Sequence, residues 1–299
     1  MNIVAAVPVD ESLASFIGKK GSENSITFYN RKSGADVVVV LVPNQAEDKA
    51  YALAESLLIA SCAVLSTATL DRRFGEALVA CSLLGKRAFV TDDNDASALL
   101  KSAGLVDYTR VSKSELLDRL VAGPDNGSEA GVRIDIDKAF PVRGIGTVVL
   151  GVVTRGTLRQ HDKLVHTSGK EVLVRSMQSQ DEDITEAKAG TRVGVSLKDI
   201  ADDEVEKGDL LTKAHVPRSA TLTVEARFNA AAREPVAVGS RYGVASGFAY
   251  SECVVKKVDG QRLELALSAP IAVETGDTVL LTRGSIPRIF ASGKVVSKA

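Results

Sequence analysis

Tryptophan is absent from the 299 residues, aromatic residues make up only 4%, and there are three cysteines and three histidines. Each shortage excludes something. Cores without large rings must be built from Val, Leu, Ile and Ala. Cys62, Cys81 and Cys253 stand apart in apolar, strand-like surroundings, so reduced core thiols are expected and a disulfide framework is not. His161, His166 and His215 are scattered and supply no closely spaced ligand set, so no metal site is expected. No Ser/His/Asp or Cys/His grouping stands out, and no catalytic set is expected. The longest apolar runs, such as residues 37–42, fall far short of the roughly 20 residues that span a bilayer, so no membrane partner is expected. The opening MNIVAAVPVDES lacks a basic stretch leading into a long apolar one, which argues against a signal peptide, and the odd, sparse set of cysteines favours a cytoplasmic location.

Charge is balanced over the whole chain, at a net of −1, but not along it. Residues 1–130 carry 13 Lys and Arg against 17 Asp and Glu, residues 131–215 carry 13 against 14, and residues 216–299 carry 11 against 7. A basic final third points weakly to nucleic acid.

A change of period divides the chain. Residues 1–121 alternate strand and helix patterns. Strands are expected over 2–7, 25–29, 35–43, 62–67, 87–91 and 107–111. Helices are expected over 47–60, 72–84, 95–100 and 112–121, with Gly85 as a C-cap and Ser112 with Glu115 as a capping box. That alternation predicts an open, mostly parallel sheet covered on both faces. Residues 122–131, AGPDNGSEAG, read as a linker. Beyond them the helical signal vanishes, and short strands split by Gly and Asp fill residues 132–215. After a break at Pro217 and Arg218 they continue through 216–299, predicting β-barrels or sandwiches.

One block carries a family signature. Residues 140–162 read FPVRGIGTVVLGVVTRGTLRQHD, with Gly144 and Gly146 placed to allow a bulge or a sharp barrel corner where a side chain would clash. The block resembles the opening hairpin of the second domain of translational GTPases. VRSMQ (174–178), EAKAGTRVGVSL (186–197) and EKGDLL (206–211) follow at the family's spacing, and RIFASGKV (288–295) resembles a last strand of the third domain. Arg192 in the Ala-Gly-x-Arg-Val block is similar to the selenocysteine-specific and initiation-factor branch. The resemblance is to the elongation factor Tu and selenocysteine-specific elongation factor family. It implies a GTPase-like α/β domain followed by two β-barrels, translation as the setting, and tRNA or the ribosome as partner of a monomer. A further C-terminal domain, common in the selenocysteine-specific relatives, is not expected, which argues against a direct recoding role.

The family's nucleotide motifs are missing. The phosphate loop G-x-x-x-x-G-K-[ST] should follow the first strand, where backbone N–H groups cradle phosphate. Here that stretch holds Pro8, which has no N–H, and Asp10 and Glu11, which would repel phosphate. Gly18-Lys19-Lys20-Gly21 has no glycine at the required spacing and no following Ser or Thr, so it is read as a surface turn. Val42-Pro43-Asn44-Gln45 replaces the Asp-x-x-Gly that would meet magnesium, and Asp92-Asp93-Asn94-Asp95 replaces the guanine-reading Asn-Lys-x-Asp. The expectation is a degenerate, pseudo-GTPase domain with neither cofactor nor metal; GTP with magnesium would return only if an atypical site still works. The cations placed to contact RNA phosphates are Arg143, Arg155, Arg192, Lys256, Lys257, Arg283 and Arg288. A scaffold holding another translation component is the remaining alternative.

Overall fold

The computed structural model describes residues 2–34, 36–44, 46, 49–122, 131–230 and 234–299. Most of the expected linker lies outside these residues, as do Gln45 and Glu47. Among the described residues, the first sheet contains β1 (Asn2–Ala6), β2 (Lys19–Glu23), β3 (Ile26–Ser33), β4 (Asp36–Pro43), β5 (Cys62–Leu65), β6 (Ala88–Thr91) and β7 (Tyr108–Val111). Their order is β2-β3-β4-β1-β5-β6-β7. β4, β1, β5, β6 and β7 are parallel, and β2 and β3 join antiparallel at the β4 edge. The Val-rich β4 is apolar on both sides of its pleat because helices cover both faces. α1 (Glu11–Ile17) and α5 (Leu116–Val121) bury Leu13, Ile17, Leu116 and Leu120 on one side. α2 (Ala50–Ile59), α3 (Arg72–Leu84) and α4 (Ser97–Ala103) pack on the other.

Helix ends follow local chemistry. Asp71 accepts from Phe74 N at 3.0 Å to open α3, and Gly85 closes it at φ 59°. The expected capping box is present: Ser112 N and Oγ both donate to Glu115, and Glu115 N donates back. A turn follows it, so α5 starts later than the sequence pattern suggests. Two elements differ from expectation. The stretch after Asp10 forms α1, and Gly18–Gly21 is not a surface turn but enters β2. A Cβ at Gly18 would lie 2.9 Å from the Asn30 backbone, so glycine there lets the edge strand dock on β3.

The second domain comprises β8 (Arg133–Val142), β9 (Gly146–Arg155), β10 (Thr157–Arg159), β11 (Lys163–His166), β12 (Glu171–Ser179), β13 (Glu182–Ile184), β14 (Glu186–Lys188), β15 (Thr191–Lys198) and β16 (Leu210–Thr212). Pairing runs β11-β16-β8-β9-β15-β12, and β12 pairs back to β11, which closes the circuit. The third domain is a closed barrel of β17 (Arg218–Phe228), β18 (Arg241–Ser246), β19 (Ala249–Asp259), β20 (Arg262–Ala272), β21 (Thr278–Thr282) and β22 (Ile289–Lys298). Gly144 sits in the β8–β9 turn and Gly146 opens β9, at φ 80° and 103°, with open space around each Cβ position. Their requirement is left-handed backbone in a hairpin turn, not relief of crowding at a barrel corner.

The three domains share buried surface. Ala245, Phe248, Leu280 and Ile289 of the third domain join the core beneath α2 and α3. Arg133 of the second domain binds Asp277 at 2.8 Å and Glu274 at 3.1 Å in the third. Buried Asp209 holds His166 at 3.1 Å and Arg218 at 2.8 Å, tying the second domain to the start of β17. The first and second domains meet where Asn2 donates to Thr191 Oγ1 and where Gly190 approaches the Asn2 carbonyl. Gly190 has φ 87°, and a Cβ there would lie 2.4 Å from that carbonyl oxygen. Gly190→Ala is therefore expected to cost about 2–3 kcal/mol through backbone strain and clash, read as a lowered urea midpoint.

Candidate functional site

At the carboxyl ends of the parallel strands, where open α/β sheets place their ligands, this chain puts its own polar groups. β1 runs into buried Pro8 and then Asp10, whose extended backbone makes it the N-cap of α1. One Asp10 carboxylate oxygen accepts from Leu13 N at 2.8 Å, and the other accepts from Ser66 Oγ at 2.6 Å, just past β5. A helix N-terminus attracts anions because its first amides lack partners, and here a side-chain carboxylate already takes that place. Glu11 accepts from the Tyr29 hydroxyl at 2.6 Å. Burial, followed by that bond, raises the Tyr29 phenol above its ordinary range.

The other two motif positions are equally occupied by internal bonds. Pro43 ends β4. Asn44 donates from its backbone to Ser25 O and accepts from Ala46 N on its side chain. Pro8, Pro43 and Asn44 border a cavity of only about 30 Å³. After β6, Asn94 donates from Nδ2 to Thr67 O at 2.7 Å and from its backbone to Thr67 Oγ1 at 3.0 Å. Thr91 donates to Asp93 at 2.5 Å. Asp95 accepts from Ser97 and Arg110, and the Ser97 bonds, foremost, hold its carboxyl below the ordinary range. Asp92 is exposed.

The seven candidate cations fall into two groups. Arg143, Lys256 and Lys257 are exposed, the first in the β8–β9 turn and the other two on β19. The remaining four hold protein together. Arg155 binds Glu274 at 2.9 Å across the joint between the second and third domains. Arg192 is 10% exposed, stacks 3.5 Å from the Phe28 ring centroid, donates to Ser22 at 2.7 Å and lies 3.6 Å from Asp137. Burial pushes its guanidinium down to about 10, against the pull of Asp137. Arg288 grips Glu76 of α3 with two bonds of 2.8 and 2.6 Å. Arg283 is packed over Phe290 and bound to Glu234 at 3.1 Å. Arg283 and Arg288 also border a cleft of about 730 Å³ between the start of α2 and the third barrel.

Two features of the joints are not foreseen from the sequence. Asp137 on β8 accepts from Asn24 at 3.1 Å as well as facing Arg192. Glu55, buried in α2, accepts from Lys207 at 2.6 Å, and Lys207 also reaches Ser25 at 3.0 Å. A carboxylate inside the apolar stretch AYALAESLLI is the available signal for the second. The three cysteines are free and buried, and burial raises Cys62 and Cys81 to about 12 and Cys253 to about 11.

Comparison with known proteins agrees with this architecture. The family model Elongation factor Tu domain 2 matches residues 146–212. The chain is similar over its full extent to translation elongation factor SelB from Methanococcus maripaludis in complex with the GTP analogue GPPNHP. That match has a TM-score of 0.81 and 19% identity, and covers 100% of this chain and 79% of that one. A bacterial selenocysteine-specific elongation factor superposes with a TM-score of 0.80 at 18% identity, covering 100% of this chain and 58% of that one. At such identity these structures share the fold. Elongation factor 1-alpha of Natronomonas pharaonis is 25% identical over 53% of this chain, and the match takes in 39% of that factor's length. Fold and sequence together define a translation elongation factor-like protein. Within that class the chain belongs to the same family as Uncharacterized protein MJ0325 of Methanocaldococcus jannaschii, which is 32% identical over 95% of this chain and 96% of its own length.

Glu55 makes one joint sensitive to pH. Burial, the largest influence, raises its carboxyl to about 7 against the opposing pull of Lys207, with Asp137 adding to the rise. The folded chain thus keeps a proton that the unfolded chain releases near its ordinary value of 4.5. This contribution is full below that value and is lost as pH rises toward 7, by at most ~1.4 kcal/mol per pH unit. Glu55→Gln should flatten that part of the stability profile. Urea unfolding of both proteins at several pH values across the window measures it.

Proposed function

We propose that this chain is a translation factor-like protein that works without guanine nucleotide and contacts tRNA or the ribosome as a preassembled three-domain body. The Asp10 carboxylate at the α1 N-terminus carries this reading, since it fills with the chain's own negative charge the place a phosphate would take. A triphosphate entering there would have to displace two hydrogen bonds and face an anion. The absence of lysine at the guanine-reading position and the internal bonds of Asn94 support the same conclusion.

The joints support the second half of the proposal. Arg192 with Phe28, Lys207 with Glu55, and Arg288 with Glu76 set the domains against one another using side chains alone. No bound phosphate is needed to bring them together. Exposed Arg143, Lys256 and Lys257 and the net positive final third then offer phosphate contacts.

Calorimetry with GDP and with a non-hydrolysable GTP analogue, each with magnesium, is expected to show no saturable heat; micromolar binding of either would overturn nucleotide independence. A tRNA mobility shift is expected without nucleotide and should weaken with salt. Lys256→Ala combined with Lys257→Ala should lower the slope of log affinity against log salt by about 0.7–0.9 for each phosphate no longer neutralised. No shift with any tRNA at low salt would remove the RNA role.

A further inference from the structure

Three of the chain's five tyrosines border the 730 Å³ cleft between the first and third domains: Tyr51 from α2, Tyr242 from β18 and Tyr250 from β19. Tyr51 and Tyr250 pack at the edge of the first core and Tyr242 at the edge of the barrel core, yet all three rings remain half-buried and keep part of their surface open. Tyr51 and Tyr250 lie with ring centroids 5.1 Å apart, and Tyr242 packs on Phe290 at 4.7 Å. A Cβ at Gly243 would lie 2.2 Å from the Tyr250 hydroxyl, so the glycine lets that ring lie flat against β18.

The mouth of the cleft is charged. Arg241 and Lys49 are exposed, and neither side chain has a hydrogen bond or ion pair among the described residues. Arg283 and Arg288 also line the cleft, each paired with a carboxylate, Glu234 and Glu76. Glu252 is exposed on β19 opposite Gly243, diagonal to Arg241 on the same face. The volume lies within the roughly 300–1,000 Å³ typical of small-molecule sites.

We propose that this cleft binds a phosphorylated nucleoside, either a free mononucleotide or the end of an RNA chain. The open side of the Tyr51 ring, backed by Tyr250, takes the base, since every base has a face that stacks on an aromatic ring. Arg241 and Lys49 take the phosphate, with the guanidinium able to bind two of its oxygens. The Glu252 carboxylate accepts from the ribose hydroxyls. This site is separate from the α/β positions filled by Asp10 and Asn94, so it neither needs nor restores GTP binding at the sheet.

The absence of tryptophan gives a direct readout, because tyrosine dominates the fluorescence. The full chain is titrated with AMP, CMP, GMP and UMP, with the matching nucleosides, with inorganic phosphate, and with short oligoribonucleotides bearing or lacking a terminal phosphate. Saturable quenching by at least one phosphorylated species is expected, with an unphosphorylated counterpart at least about tenfold weaker. Saturation by mononucleotides identifies a free ligand, and saturation only by phosphorylated oligonucleotides identifies an RNA end; both support the site. Arg241→Ala is expected to weaken binding by about tenfold or more with the melting temperature unchanged, because that side chain is exposed and has no partner among the described residues. No saturation by any of these at millimolar concentration would overturn the proposal. So would nucleosides binding as well as nucleotides, or binding undiminished in Arg241→Ala.

Discussion

α2 is enclosed along most of its length beyond Tyr51, and the arrangement of the domains depends on that enclosure. Its apolar residues Ala52, Leu53, Leu57 and Ile59 are buried, and so are Glu55 and Ser56. A helix apolar around most of its circumference must be covered all round. The sheet covers one side and the third barrel another, while Lys207 of the second domain closes over Glu55. Separating the third barrel from α2 would leave apolar surface in water, and removing the second barrel would strand a buried carboxylate without its cation. The domains are therefore parts of one packing unit.

Buried charge gives these joints direction. Aliphatic surfaces alone would let one domain slide over another. Arg192, held between the Phe28 ring, Ser22 and Asp137, fixes a register, as does the two-pronged grip of Arg288 on Glu76. Ion pairs of this kind add little net stability against an apolar replacement, but losing one partner costs several kcal/mol. Their contribution is to orientation.

Much of the fold is legible in the sequence because local rules govern it. The Val run of β4 announces a strand buried on both faces. Asp71 and Gly85 bracket α3, and the glycine-punctuated stretch after Phe140 marks the hairpin of the second domain. What escapes is decided by distant parts of the chain. α1 is seven residues long, and in sequence its cap shows only as a phosphate-repelling carboxylate. β2, sequence KKGSE, is charged and exposed, and is a strand only because β3 lies beside it. The candidate cations can be recognised by type, but nothing near Arg192 or Arg288 in sequence signals Phe28 or Glu76.

The sealed thiols give the molecule a practical property. With Cys62, Cys81 and Cys253 all buried and their thiols held protonated far above neutral pH, the native surface is silent toward thiol-directed reagents. One cysteine placed on each barrel would then give two reactive handles, and a pair of dyes so attached would report whether the domains ever part.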